Sequence, residues 1–212
     1  MCPVKKGKKK KRLLRVHQLL FLIMLLIVNS TAWFIYVNTV ENTMNVHVKA
    51  WDVTFEAGDS EIIDTIDVQV DDLYPGMENF TYDLEAHNRS EVTATVTYEI
   101  LEANILGDVY YTIEGRAERH EEPLATDMSS SEFETMLATD YPFTISFYLT
   151  NALMNSGNGS STYSVNVVWP YEQGNDELDT EWGIRAAQFK STHPSEPSII
   201  LKIKIKITQN AS

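Results

Sequence analysis

Residues 199–208 read IILKIKIKIT. Ile199, Leu201, Ile203, Ile205 and Ile207 take every second position, and Lys202, Lys204 and Lys206 stand between them. Side chains of a β-strand alternate between the two faces of a sheet, whereas a helix would scatter this set around its circumference. The segment therefore reads as a strand with an aliphatic face turned to a core and a lysine face turned to water. Isoleucine also fits the pleated surface of a sheet. A single strand with such a face needs partners, and the rest of the chain offers them.

The same alternation recurs in VTATVTYEI (92–100), where Val92, Ala94, Val96, Tyr98 and Ile100 share a face. It recurs again in FTYDLEA (80–86), FTISFYL (143–149) and YSVNVVW (163–169). Weaker strand patterns cover 45–56, 61–71 and 105–114. In the first of these the apolar phase slips from Val46, Val48 and Ala50 to Trp51, Val53 and Phe55, which predicts a β-bulge. Turn residues punctuate the strands: AGDS at 57–60, YPGM at 74–77, HNRS at 87–90 and NSGNGSS at 155–161.

Two helical patterns interrupt them. SSSEFETMLATD (129–140) offers Ser131 with Glu134 three residues on, a capping box, and the apolar stripe Phe133, Met136 and Leu137. TEWGIRAAQFKS (180–191) places Trp182, Ala186 and Phe189 on one face, and Pro194 and Pro197 stop it. Many short strands with regular turns predict an all-β fold, an antiparallel β-sandwich of jelly-roll or Ig-like type. It should have eight or nine strands and two short helices.

Charge divides the chain. Residues 1–15 carry eight Lys or Arg and no acid. The remaining nine basic residues face all thirty acids, a formal charge of −21. So acidic a body repels phosphates, which excludes nucleic acid as a partner and favours cations or basic partners. The basic head leads into QLLFLIMLLIVNSTAWFIYV (18–37), twenty residues, long enough for a helix to cross a bilayer. Trp33 and Tyr36 suit its outer interface, and the lysines hold the N-terminus inside. The expected organisation is a cytoplasmic head at 1–17, a signal-anchor membrane helix at 18–37 and an extracellular sandwich domain at 38–212. The alternative is a secreted protein cleaved after Ala32, since Ser30 and Ala32 are small residues at the positions a signal peptidase reads. The single cysteine, Cys2, lies in the head, so the outer domain has no internal disulfide. This suits a Gram-positive surface protein better than a eukaryotic secreted one. The sequons at Asn79, Asn88 and Asn158 matter only in a eukaryotic host.

The densest polar cluster is WPYEQGNDELDTEWG (169–183). Its simplest reading is structural: Trp169 ends a strand, Pro170 closes it, Gly174 to Asp176 turn the chain, and Asp179-Thr180 cap the second helix. Its sharper reading is a Ca²⁺ site built on Asp176, Glu177 and Asp179, because calcium takes six to eight oxygen ligands. The spacing does not match an EF-hand. RHEEP (119–123) offers His120 beside Glu121, but HExxH is absent, as are GxSxG and a phosphate-binding GK[ST]. No catalytic residue is assigned. The lysine strand has a second reading as well. It, or residues 38–48, could add to a sheet of another copy or of another surface protein.

The hydrophobic N-terminus, the strand directly after it, the Pro75-Gly76 turn and the extended strand that follows resemble the TasA/camelysin group of exported proteins. The polar turn at 87–90 and VTATVTY (92–98) extend the likeness, as does WPYE…GND…DT…G. The resemblance covers roughly 38–209. It implies a jelly-roll-like sandwich and a role in surface fibres or biofilm matrix. Camelysin-type members are described as metallopeptidases, a role that would need His120 with Glu121, or His87 near the acidic loop, to converge. The expected function is that of a non-enzymatic cell-surface or matrix protein acting by binding or strand-mediated assembly. A metallopeptidase and a calcium-stabilised adhesion module are the alternatives.

Overall fold

A computed structural model describes residues 46–53, 61–171, 174 and 176–210, all within the unit Met44–Ser212. The basic head, the apolar stretch 18–37 and the AGDS turn lie outside the described residues. No helix among the described residues is long and apolar enough to cross a membrane.

Nine strands and three short helices are described. The strands are β1 (Val46–Val53), β2 (Glu61–Val70), β3 (Phe80–Asn88), β4 (Ala94–Ile105), β5 (Asp108–Tyr111), β6 (Thr144–Leu149), β7 (Leu153–Met154), β8 (Gly159–Val168) and β9 (Ile199–Gln209). The helices are α1 (Ile113–Glu118), α2 (Ser130–Thr139) and α3 (Asp176–Thr192). One sheet runs β1-β3-β8-β6; the other runs β2-β9-β4-β5, with β7 also pairing β4. Every pairing is antiparallel except β1 with β3, which is parallel. That departs from the fully antiparallel expectation. Antiparallel partners need only a hairpin, but β1 and β3 are separated by β2, which belongs to the other sheet.

The quoted lysine strand, β9, lies in the middle of its sheet. It is laddered to β2 on one side and to β4 on the other. Its lysines therefore do not guard an edge, and β9 has no free edge to donate to a partner. They neutralise the flanking strands instead: Lys206 pairs with Glu61 at 2.6 Å, Lys202 with Glu102 at 3.9 Å, and Lys204 with Glu118 of α1 at 2.8 Å. The opposite face supplies Ile199, Leu201, Ile203, Ile205 and Ile207, each at most 1% exposed. They meet Leu84, Tyr163, Val165 and Val167 from the other sheet in one continuous core. Each such aliphatic side chain contributes about 1.5–3 kcal/mol by leaving water.

The bulge expected in β1 is not there: residues 46–53 pair with 81–88 in unbroken register. The apolar phase of Trp51 and Val53 wins, with Val53 fully buried and Ala50 exposed. A bulge appears instead in β4 between Ile100 and Glu102. There Leu101 is the extra residue, and its carbonyl accepts from the Thr112 amide at 3.1 Å. The Thr112 hydroxyl donates to the Ile100 carbonyl at 2.7 Å and caps α1 by accepting from the Gly115 amide at 2.9 Å. The strand expected over 105–114 is present as the end of β4 and as β5, and helix α1 takes only its last two residues, Ile113 and Glu114. The capping box of α2 also sits two residues earlier than expected, on Ser129 and Glu132.

Among the described residues, the turn at 88–92 meets that at 155–159, joined by the Asn88 amide and the Asn155 carbonyl, at one end of the strands. The turn at 74–77 meets the end of β8 and α3 at the other, through Gly76 to Trp169 and Pro75 to Gly183.

Candidate functional site

The acidic stretch lies at the α3 end. Trp169 is fully buried where β8 ends, packed on Phe143 at 5.4 Å between ring centroids. Phe143 in turn meets Trp182 of α3 edge-on at 5.8 Å, and Tyr141 stacks on Phe143 at 5.0 Å. A buried indole needs an acceptor for its N–H. Asp179 provides one: Trp169 Nε1 donates to Asp179 Oδ1 at 2.8 Å, and Asp179 is only 8% exposed. Asp179 lies in the first turn of α3, where a carboxylate also favours the positive end of the helix dipole. The Trp169 carbonyl accepts from the Gly76 amide at 2.8 Å. Gly76 has φ +76, and a Cβ there would fall 3.1 Å from the Tyr171 ring, so glycine suits the turn twice over. Gly183 of α3 lies against Pro75 of the same turn.

Of the three Ca²⁺ candidates, Asp179 therefore turns inward to Trp169, while Asp176 and Glu177 are exposed on α3. They line an open depression with Thr180, Glu181 and Ile184. Among the described residues no group of three or more His, Cys, Asp or Glu side chains is placed to hold a metal ion. Helix α3 starts at Asp176, one turn before the expected start, so Asp179-Thr180 lies inside the helix and does not cap it.

The histidine–glutamate pairs do not converge either. Glu121 accepts from Arg116 at 2.8 Å and from Arg119 at 3.0 Å, while Arg116 also donates to Asp127 at 3.0 Å. Both guanidinium groups lie over the Tyr111 ring, at 4.5 and 4.9 Å. Hydrogen bonds from the two arginines hold the Glu121 carboxyl below its ordinary pKa. The Leu124 amide, then Arg116, does the same for Asp127. The segment RHEEP is an arginine-stapled loop with His120 at φ 58. His87 pairs across the ladder with Ser160, at the end opposite the acidic loop, and its Nε2 lies 3.6 Å from Glu85. The HNRS turn is built on Asn88, which is fully buried. Its amide donates to the carbonyls of Val92 at 2.8 Å and Asn155 at 3.1 Å. Asn88 is therefore not a surface glycan acceptor.

A polar cluster at the margin of the core escaped the sequence. Tyr98 donates to the Glu134 carboxylate at 3.1 Å, and its ring lies 4.7 Å from that of Tyr163. Burial, then the charge of Glu134, pushes the Tyr98 hydroxyl up to about 12. The Tyr163 hydroxyl is buried without a hydrogen-bond partner among the described residues. Burial raises its pKa well above the ordinary tyrosine value. Alternation alone had shown both tyrosines facing inward, but not that they meet. No family model, curated protein or solved structure matches the chain.

Proposed function

We propose that this chain is a non-enzymatic cell-surface or matrix protein of TasA/camelysin-like character. Its outer domain is a jelly-roll or Ig-like sandwich. Residues 18–37 anchor it in the membrane, or belong to a signal peptide cleaved after Ala32, and the domain works by binding or by strand-mediated assembly. The observation that carries this reading is β1. Among the described residues it is the first strand, it holds an outer position in its sheet, and its one ladder is parallel, to β3. A strand attached by one ladder, at the start of the domain, can be exchanged with another copy without unthreading the fold. The rest of that sheet, β3-β8-β6, is held by antiparallel ladders that do not involve β1. At its far side β6 has a single described partner, β8. Sheet edges of this kind are where a further strand adds.

The test is production in a Gram-positive host, with membrane and medium fractions kept apart. Each fraction is then examined by N-terminal sequencing, intact mass and electron microscopy. Filaments or concentration-dependent oligomers are expected. A chain that stays monomeric in both fractions at high concentration would contradict assembly.

A further inference from the structure

The α3 end of the sandwich displays large apolar side chains on its surface. Tyr171 is 77% exposed, Tyr74 52% and Ile184 53%. Tyr74 and Tyr171 lie at one turn, which Tyr74 begins and whose Gly76 the Tyr171 ring covers; Ile184 is on the adjoining helix, one residue after Gly183, which rests on Pro75. The ladder also fixes where the chain joins the domain. Val46 pairs with Thr81 at the start of β3, so β1 begins at this same end. From Val37, the last residue of the apolar stretch, to Val46 is nine residue steps, about 30 Å at full extension. If 18–37 spans the bilayer, this end cannot stand further than that from the lipid surface. Tyrosines, apolar in the ring and polar at the tip, suit the headgroup region.

We propose that the face formed by Tyr74, Pro75, Tyr171 and Ile184 rests on the lipid headgroups of the membrane that anchors the chain. The proposal builds on the anchored reading above. It holds the sandwich end-on to the bilayer and turns the 88–92 and 155–159 turns outward. The charges around the face set its lipid preference. Asp176, Glu177 and Glu181 are exposed beside Ile184, Asp72 is paired with Lys190, and Arg185 is paired with Asp108 and lies over Trp182. Among the described residues the charge left without an ion-pair partner is negative, so zwitterionic headgroups are favoured over anionic ones, the reverse of a polybasic membrane patch.

The experiment uses the full chain with Cys2→Ser, reconstituted in vesicles of phosphatidylcholine brominated near the headgroup. An environment-sensitive fluorophore is placed on Thr180→Cys, or on Asn158→Cys at the opposite end as control. Quenching several-fold greater at 180 than at 158 is expected. It should be abolished by Tyr74→Ala with Tyr171→Ala, and weaker in vesicles of phosphatidylglycerol. Equal quenching at both positions in a chain that resists alkaline carbonate extraction would overturn the proposal. So would quenching indifferent to the tyrosines, or stronger with phosphatidylglycerol. A chain stripped by carbonate contradicts the anchored reading itself, and the proposal falls with it.

Discussion

Asp176 and Asp179 are three residues apart in the same acidic run, yet the structure gives them different work. Asp179 satisfies the only polar atom of a buried indole side chain. Asp179→Ala should therefore cost about 1–3 kcal/mol, because it strands the Trp169 N–H. Asp176→Ala removes only a favourable charge at the start of α3, worth about 0.3–1 kcal/mol. Urea unfolding of the two variants checks the difference. Equal costs would mean that the indole bond adds nothing. Tyr163 gives the opposite expectation. Its hydroxyl has no partner among the described residues, so Tyr163→Phe should leave stability unchanged or raise it. A loss of more than about 1 kcal/mol would reveal a hidden hydrogen bond. The sequence showed the acidic run but not which carboxylate turns inward. That depends on where α3 begins: with the helix starting at Asp176 instead of Thr180, Asp179 falls within it, three residues before Trp182 and seven before Ala186, on the same inward face.

Helix α1 exists because β4 bulges. The extra residue, Leu101, offers its carbonyl to Thr112, and the helix then lies so close that a Cβ on Gly115 would fall 1.9 Å from the Leu101 oxygen. Gly115→Ala should therefore cost about 3 kcal/mol or more, although alanine is the better helix former in isolation. A thermal melt no lower than wild type would contradict this packing. Six residues with one tertiary reason to coil carry no readable periodicity, so the strand pattern over 105–114, which covers the end of β4 and all of β5, extends two residues too far, into Ile113 and Glu114. The α2 cap misled for another reason. Two overlapping frames, Ser129 with Glu132 and Ser131 with Glu134, both fit the capping pattern, and Glu134 is engaged by Tyr98 instead. The acid limb of stability belongs to these elements. Hydrogen bonds lower the carboxyl pKa values of Glu118 (from Lys204), Glu121 (from Arg116 and Arg119), Asp127 (from the Leu124 amide and Arg116) and Glu132 (from Ser129). Groups lowered on folding contribute stability above their unfolded pKa of about 4, and lose it as pH falls through the folded value. The urea midpoint should drop below about pH 4, and Arg116→Met should make that drop shallower. An identical acid limb in the variant would count against the staple.

On the scale of the whole molecule, alternation in 80–86, 92–100, 143–149, 163–169 and 199–208 located five of the nine strands and much of the core. Which strands pair was less legible, because period two assigns faces and says nothing of neighbours. The lysines of β9 held a usable signal: Glu61, Asp67, Glu99 and Glu102 share their face and flank them in the ladders. A strand so matched on both sides belongs in the middle of a sheet. Nothing local announced the parallel pairing of β1, since its partner lies across a strand of the other sheet. On that strand the account turns. Asp52 and His87 are register partners on β1 and β3, and Asp52 is exposed. Cysteines at both positions, with Cys2→Ser, fall within disulfide reach. Oxidation of a concentrated sample, resolved on a non-reducing gel, reports whose β3 each β1 occupies. Strand exchange predicts a ladder of covalent multimers that collapses on reduction. A single internally bridged monomer at every concentration would contradict assembly through β1.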